Sequence, residues 1–308
     1  MKILFNKDNT ESGEILDVLG FTDADINLAK VWPYLRSASR EIQTIIGKEN
    51  YTICETVNED IETADDENAE LYDLVRYAIA LDAFRKYAPL NDLSFTNDGR
   101  LFRRDEHQVA AFQWQIDNSN DAMERRYYES VDEIINFIMD SEDLEPSDYM
   151  TQFSGLYVPN LKAFQKYVNI NDSHLLYFKL APSLRLCEQR EIINRMGDKF
   201  PQYKAVAMRD SYIHGLVQNI CVYFAMADGV QKFSVQLFPE GLMKAGKESQ
   251  ANKRSASGYD KESITLFYRT ELASLLKMLE IEIKKLEPVY TSKPQINFGK
   301  DDGFVTTS

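Results

Sequence analysis

The densest run of reactive side chains in the chain is Asp105, Glu106 and His107, two carboxylates beside an imidazole, a set able to move protons. Adjacent residues on a helix do not face one another, so three in a row cannot converge on one substrate atom. At the start of a helical pattern they read more simply as a negative first turn that complements the positive end of the helix dipole. The other histidines, His174 and His214, lie far away in sequence, and so do Cys54, Cys187 and Cys221. A zinc site made from these residues would have to be assembled wholly by the fold. The glycines form no phosphate cradle, and no CxxC, GxSxG or HExxH motif occurs. No catalytic residue, cofactor or metal is therefore expected. The enzymatic alternative is a site assembled between two halves of the chain around Asp105, His107 and His214.

Charge is also locally concentrated. Eight carboxylates fall between Glu55 and Glu70 with no Lys or Arg among them. The spacing Asp60, Glu62, Asp65, Asp66 lacks the alternating ligands and central Gly of an EF-hand loop, so this stretch reads as a solvated, self-repelling loop. In an oligomer it could face basic groups of the next subunit. Basic doublets occur at Arg103–Arg104, Arg125–Arg126, Lys253–Arg254 and Lys284–Lys285. The last pair complements the negative end of a helix.

The elements that carry these residues come twice. Leu74–Leu101 matches Leu216–Met243 at a shift of 142 without a gap, placing Ala83 on Ala225, Leu93 on Val235, Phe95 on Leu237 and Gly99 on Gly241. Each copy reads as an apolar helix followed by a short alternating stretch that pivots on a Gly, the pattern of a helix feeding a β-hairpin. A shift of 149 places Ile15 on Phe164, Val18 on Tyr167, Asp23 on Asp172 and Pro33 on Pro182. The two aspartates stand where a helix cap is expected, and the two prolines where a helix kinks or restarts. A shift of 150 brings Arg40, Glu41, Ile42 and Gly47 onto Arg190, Glu191, Ile192 and Gly197, each Gly a helix stop. A long striped helix closes each copy, with Met123, Val131 and Ile134 on Phe267, Leu275 and Met278 at a shift of 144.

These patterns predict a mainly α protein, a tandem duplication of a helical-bundle unit in which each copy has a short β-hairpin. Met1–Phe5 is expected as a short strand, with Leu156–Val158 in a comparable place. The halves are 1–145 and 150–286, joined by an acidic, Pro-containing linker near residues 140–149 and followed by an extended tail at 287–308. The length of 308 residues suits two domains.

Composition narrows the partners. The hydrophobic fraction of 44% and charged fraction of 27% are those of a globular protein. A net charge of -14 disfavours direct contact with nucleic acid, which needs clustered cations. No run approaches a membrane span, and Met1–Phe5 is too short for the apolar core of a secretion signal. Three widely spaced cysteines suit free thiols in a reducing, intracellular compartment. Protein partners remain, and the hairpin tips Asn97, Asp98, Gly99, Arg100 and Pro239, Glu240, Gly241, Leu242 are the expected contact points.

The MKILF start, PYLRSASREIQTIIGKENY, LVRYAIALDAF, WQIDNSNDAMERRYYESVDEIINFI and FQKYVNINDSHLLYFKLAPSLR together resemble a double-repeat family encoded among the virion structural genes of tailed phages and prophages of gut bacteria. The resemblance covers the chain to about residue 286. It implies a non-enzymatic head-tail connector or adaptor, assembled through protein contacts as a ring beneath the portal, in the virion or the host cytoplasm. A helical protein-binding adaptor outside any virion is the alternative.

Overall fold

In the computed structural model, residues 1–6, 13–21, 28–91, 93–96, 99–102, 112–232 and 258–286 are described. The chain is mainly helical. Its first half holds α1 (Gly13–Leu19), α2 (Leu28–Glu59), α3 (Asp66–Asn91), strands β1 (Leu93–Thr96) and β2 (Gly99–Phe102), and α4 (Gln113–Asp140). Its second half holds α5 (Asp148–Thr151), α6 (Leu161–Gln165), α7 (His174–Cys187), a π-helical turn at Glu188–Ile192, α8 (Ile193–Met196), α9 (Lys199–Lys204), α10 (Tyr212–Lys232) and α11 (Gly258–Lys285).

Each half is organised around its most apolar helix. α3 packs on both α2 and α4, and α10 on both α7 and α11. Burial on several sides explains why α3 has no clean polar stripe. Leu71, Val75, Ala78, Ile79, Ala80, Leu81 and Ala83 are all buried. Val31, Leu35, Ala38, Ile42 and Ile46 form the facing stripe of α2 at helical spacing. Leu180, Leu184, Val217, Ile220 and Cys221 take the same part in the second half, and one apolar core runs through both halves.

The equivalent glycines are the breaks in the long helices. Gly47 has φ 88° and ψ 166° inside α2, and Gly197 has φ 52° and ψ -130° at the end of α8. Pro33 and Pro182 sit inside α2 and α7, so neither helix restarts there. Pro33 falls in the second turn, so its missing N–H removes one bond near the helix start. α7 continues through Pro182, where Leu180, Ala181, Ser183 and Leu184 are all buried.

Three other expectations are corrected. Residues 1–5 and 156–158 form no strand; they are held by side chains instead. Tyr51 Oη donates to the Lys2 carbonyl at 3.0 Å, and Tyr177 Oη donates to that of Val158 at 2.9 Å. Ser173, not Asp172, caps α7, its hydroxyl accepting from Leu176 N at 3.2 Å. Asp172 adopts φ 54° and accepts from Gln165 Nε2 at 2.6 Å; Asp23 lies outside the described residues. Residues 55–70 are not a loop but the last turns of α2, a 3-10 turn at Ile61–Thr63 and the start of α3. Carboxylates there suit the positive end of α3, and Asp65 accepts from Asn68 N at 2.7 Å. The linker after α4 is tied down as well. Ser147 Oγ donates to Ile45 O at 2.6 Å, and Asn50 Nδ2 donates to Glu145 O at 2.9 Å.

β1 and β2 pair antiparallel, Leu93 with Phe102 and Thr96 with Gly99. A hairpin in the second copy would fall on residues 233–257, outside the described residues. No helix among the described residues is long and apolar enough to cross a membrane.

Candidate interaction surface

Among the described residues, the histidines occupy separate places. Asp105, Glu106 and His107 lie outside the described residues. His174 is buried where α7 meets α4, its Nε2 2.8 Å from Asn136 Oδ1. His214 is buried in α10, its Nδ1 2.8 Å from Tyr203 O and its ring 5.0 Å from that of Tyr157. All three cysteines are free and buried, and burial pushes the Cys54 thiol up to about 12. Among the described residues no group of three metal-ligating side chains forms.

Glu188 in the π-helical turn accepts from Tyr157 N at 2.5 Å and from Lys204 Nζ at 2.6 Å. The Lys204 ammonium also lies over the rings of Tyr157 and Phe200. This cluster anchors the start of the second half to α7, α9 and α10, with Gln218 Nε2 donating to Tyr157 O at 2.7 Å.

The halves meet where α4 crosses the N-terminus of α7. Asp132 Oδ1 accepts from Leu175 N at 3.1 Å, and Lys179 lies over the Tyr128 ring at 5.3 Å. A carboxylate at a helix N-terminus takes up otherwise unpaired N–H groups. Burial is the largest influence on Asp132 and pushes it up to about 6, against the opposing pull of hydrogen bonds from Leu175, Ser173 and His174. Burial pushes His174 down, with Asp140 and Asp172 opposing.

A raised carboxylate favours the folded state below its unfolded value near 4, and that contribution is lost as pH rises through about 6. A depressed histidine acts in the opposite sense, losing its contribution as pH falls through its ordinary range. Urea unfolding of the wild type and Asp132→Asn at intervals from pH 7 to pH 4 separates them. The advantage of the wild type over the variant should grow on acidification, by up to about 3 kcal/mol. A difference independent of pH would refute this account of the junction.

The last helices required a change of register. At the expected shift of 144, buried Ile134 would match Met278, which is exposed. A shift of 145 places Tyr127, Val131, Ile134 and Ile138 on Leu272, Leu276, Leu279 and Ile283, all packed into or against the core. One residue turns a helix face by about 100°, so the correction changes which residues look outward.

Of the hairpin residues singled out from sequence, Gly99 and Arg100 lie on β2, with Arg100 opposite Phe95. Asn97, Asp98, Pro239, Glu240, Gly241 and Leu242 lie outside the described residues. Large exposed apolar side chains instead mark the long helices: Phe112 and Trp114 at the start of α4, and Leu266, Phe267, Met278 and Ile281 along α11. On α11 these residues lie off the stripe of Leu272, Leu276, Leu279 and Ile283.

A groove of about 690 Å³ opens between α1, α3 and α4. Val18, Ala69, Leu74 and Tyr77 give it an apolar component, and Asp17, Asp66, Glu70, Asp73 and Glu133 make it acidic. Its two cations are already paired, Arg76 with Glu14 at 3.5 Å and Arg126 with Glu133 at 3.0 Å. The counterpart in the second half is filled from within. Tyr167, equivalent to Val18, sends its hydroxyl to Gly215 O at 2.9 Å, with Gln218 Oε1 3.3 Å away. Gly215 and Gln218 are the equivalents of Asp73 and Arg76 at the shift of 142.

Fold and surface together define an internally duplicated helical protein. The chain belongs to the Family of unknown function (DUF6712), whose sequence pattern matches residues 42–153 and again residues 186–285. No curated protein and no solved structure matches it.

Proposed function

We propose that this chain is a non-enzymatic structural protein of a tailed-phage or prophage particle, a head-tail connector that assembles through protein contacts into a ring. The observation that carries the reading is where its unsatisfied surface lies: exposed Phe and Trp side chains stand at the start of α4, and exposed Leu, Phe, Met and Ile side chains run along α11. Aromatic and aliphatic anchors of this kind are enriched where proteins meet. The resemblance drawn from the sequence supplies the particle as the setting, and the duplication supplies two related but unequal faces, as a head-to-tail ring requires. The hairpin β1–β2 is a further contact element in this reading, reaching a neighbouring subunit or a portal or tail component.

Mass spectrometry of gradient-purified particles from a host that carries the gene tests the setting. The chain should sediment with the particles at a fixed ratio to their other structural proteins. Its absence from particles, with abundant free protein in the lysate, would sink the connector reading in favour of an adaptor outside the virion.

A further inference from the structure

The two halves treat equivalent helix faces in opposite ways. In the first half, Glu124, Tyr128, Asp132 and Asn136 of α4 face the second half; Asp132 holds the N-terminus of α7 and Lys179 lies over Tyr128. At the shift of 145 these four positions become Arg269, Ala273, Lys277 and Ile281 on α11. On α11 this face is exposed, with Ile281 at 55% and the neighbouring Leu266 at 66%. Its sign has also changed, because both carboxylates have become cations. The face that receives a positive helix end in the first half is therefore built in the second to receive an acidic surface.

Such a surface exists at the other end of the same chain. The groove between α1, α3 and α4 carries five carboxylates around an apolar lining, and it is open because Val18 stands where Tyr167 closes its counterpart. We propose that the Arg269–Ala273–Lys277–Ile281 face of α11 docks into this acidic groove on a second copy of the chain. Leu266 and Ile281 meet the apolar lining while Arg269 and Lys277 meet Glu70 and Asp73. The two patches differ, so the contact is heterologous and passes from copy to copy head to tail, closing into a ring if the rotation permits. The inference rests on the assembly reading above and names its interface.

Sedimentation velocity on the full chain, over a range of concentration and salt, tests it. The wild type should associate, and association should weaken as salt screens the paired charges. Arg269→Glu with Lys277→Glu should shift the protein to monomer, as should Glu70→Lys with Asp73→Lys. Mixed in equal amounts, the two variants should associate again, since each then offers the charge the other lacks; recovery also shows that both are folded. A monomeric wild type, or a mixture that stays monomeric, overturns the proposal. If the wild type assembles and neither reversal matters, this interface is wrong while assembly stands. If the chain is absent from particles yet assembles as described, the connector setting fails and the interface stands.

Discussion

Asp82→Ala should lower the free energy of unfolding by about 3 kcal/mol, the largest effect expected of a single polar substitution here. Asp82 is fully buried in α3. Its Oδ1 accepts from Arg85 Nε at 2.8 Å and its Oδ2 from Lys86 Nζ at 2.6 Å. Lys86 Nζ also donates to Glu41 of α2 at 2.8 Å, and the Arg85 guanidinium lies 4.4 Å from the centre of the Tyr127 ring of α4. One carboxylate thus organises two cations that join three helices. Burial, the largest influence, raises the Asp82 carboxyl, and the hydrogen bond from Lys86 and the charges of Arg85 and Lys86 oppose it. Removing the carboxylate leaves those cations half-buried and partly unpaired, where charge is costly. Both are about a quarter exposed, so water offsets part of the loss and the effect falls at the low end for a broken buried pair. Asp82→Asn, which keeps the shape and an acceptor, should cost less. Equilibrium urea unfolding near neutral pH distinguishes them; equal, small losses would mean that the network contributes little.

The second large effect is at Gly47. At φ 88° and ψ 166° the backbone occupies a region essentially open only to glycine, and a side chain there is strained by roughly 1–3 kcal/mol whatever the space. Space is short too: a Cβ at Gly47 would lie 3.0 Å from the Ser147 Cβ. Ser147 cannot easily retreat, because its hydroxyl is bonded to Ile45 O and caps α5. Gly197, at the equivalent place, also has positive φ, but a Cβ there meets nothing within 4 Å. Gly47→Ala should therefore destabilise by about 3 kcal/mol and Gly197→Ala by about 1–2 kcal/mol, the difference reporting the clash with the segment after α4. Thermal or urea unfolding of the two variants measures it. A Gly197→Ala loss equal to or above that of Gly47→Ala would show that backbone strain alone decides.

These two glycines also mark how far the sequence could be read. The duplication, the apolar helices at its centre and the paired breaks at Gly47 and Gly197 were legible, because helix periodicity and positive φ leave signatures that one strand of sequence carries. The cap of α7 was not. Asp172 and Ser173 are both good caps by residue type, and only the path of the chain shows that Ser173 takes Leu176 N while Asp172 turns to Gln165. Pro33 and Pro182 were read as places where a helix kinks or restarts; neither helix restarts, because flanking burial and position within the helix outweigh the loss of one backbone bond. The acidic run at 55–70 was read as a loop because like charges repel, whereas helix ends and the N-terminus absorb it: Glu55 and Glu59 accept from Lys2, and Asp65 caps the first turn of α3.

By itself, then, the sequence determined a mainly helical chain made of two related units, since local periodicity, glycine breaks and repeated spacing are properties of the chain before it folds. Tertiary structure alone decided which face of α11 is left open and whether each half has a groove. A one-residue change of register turns a helix face by about 100°, which moves Ile281 and Lys277 to the positions of Asn136 and Asp132. The difference between Val18 and Tyr167 acquires meaning only once α1 lies on α3 and Tyr167 reaches α10.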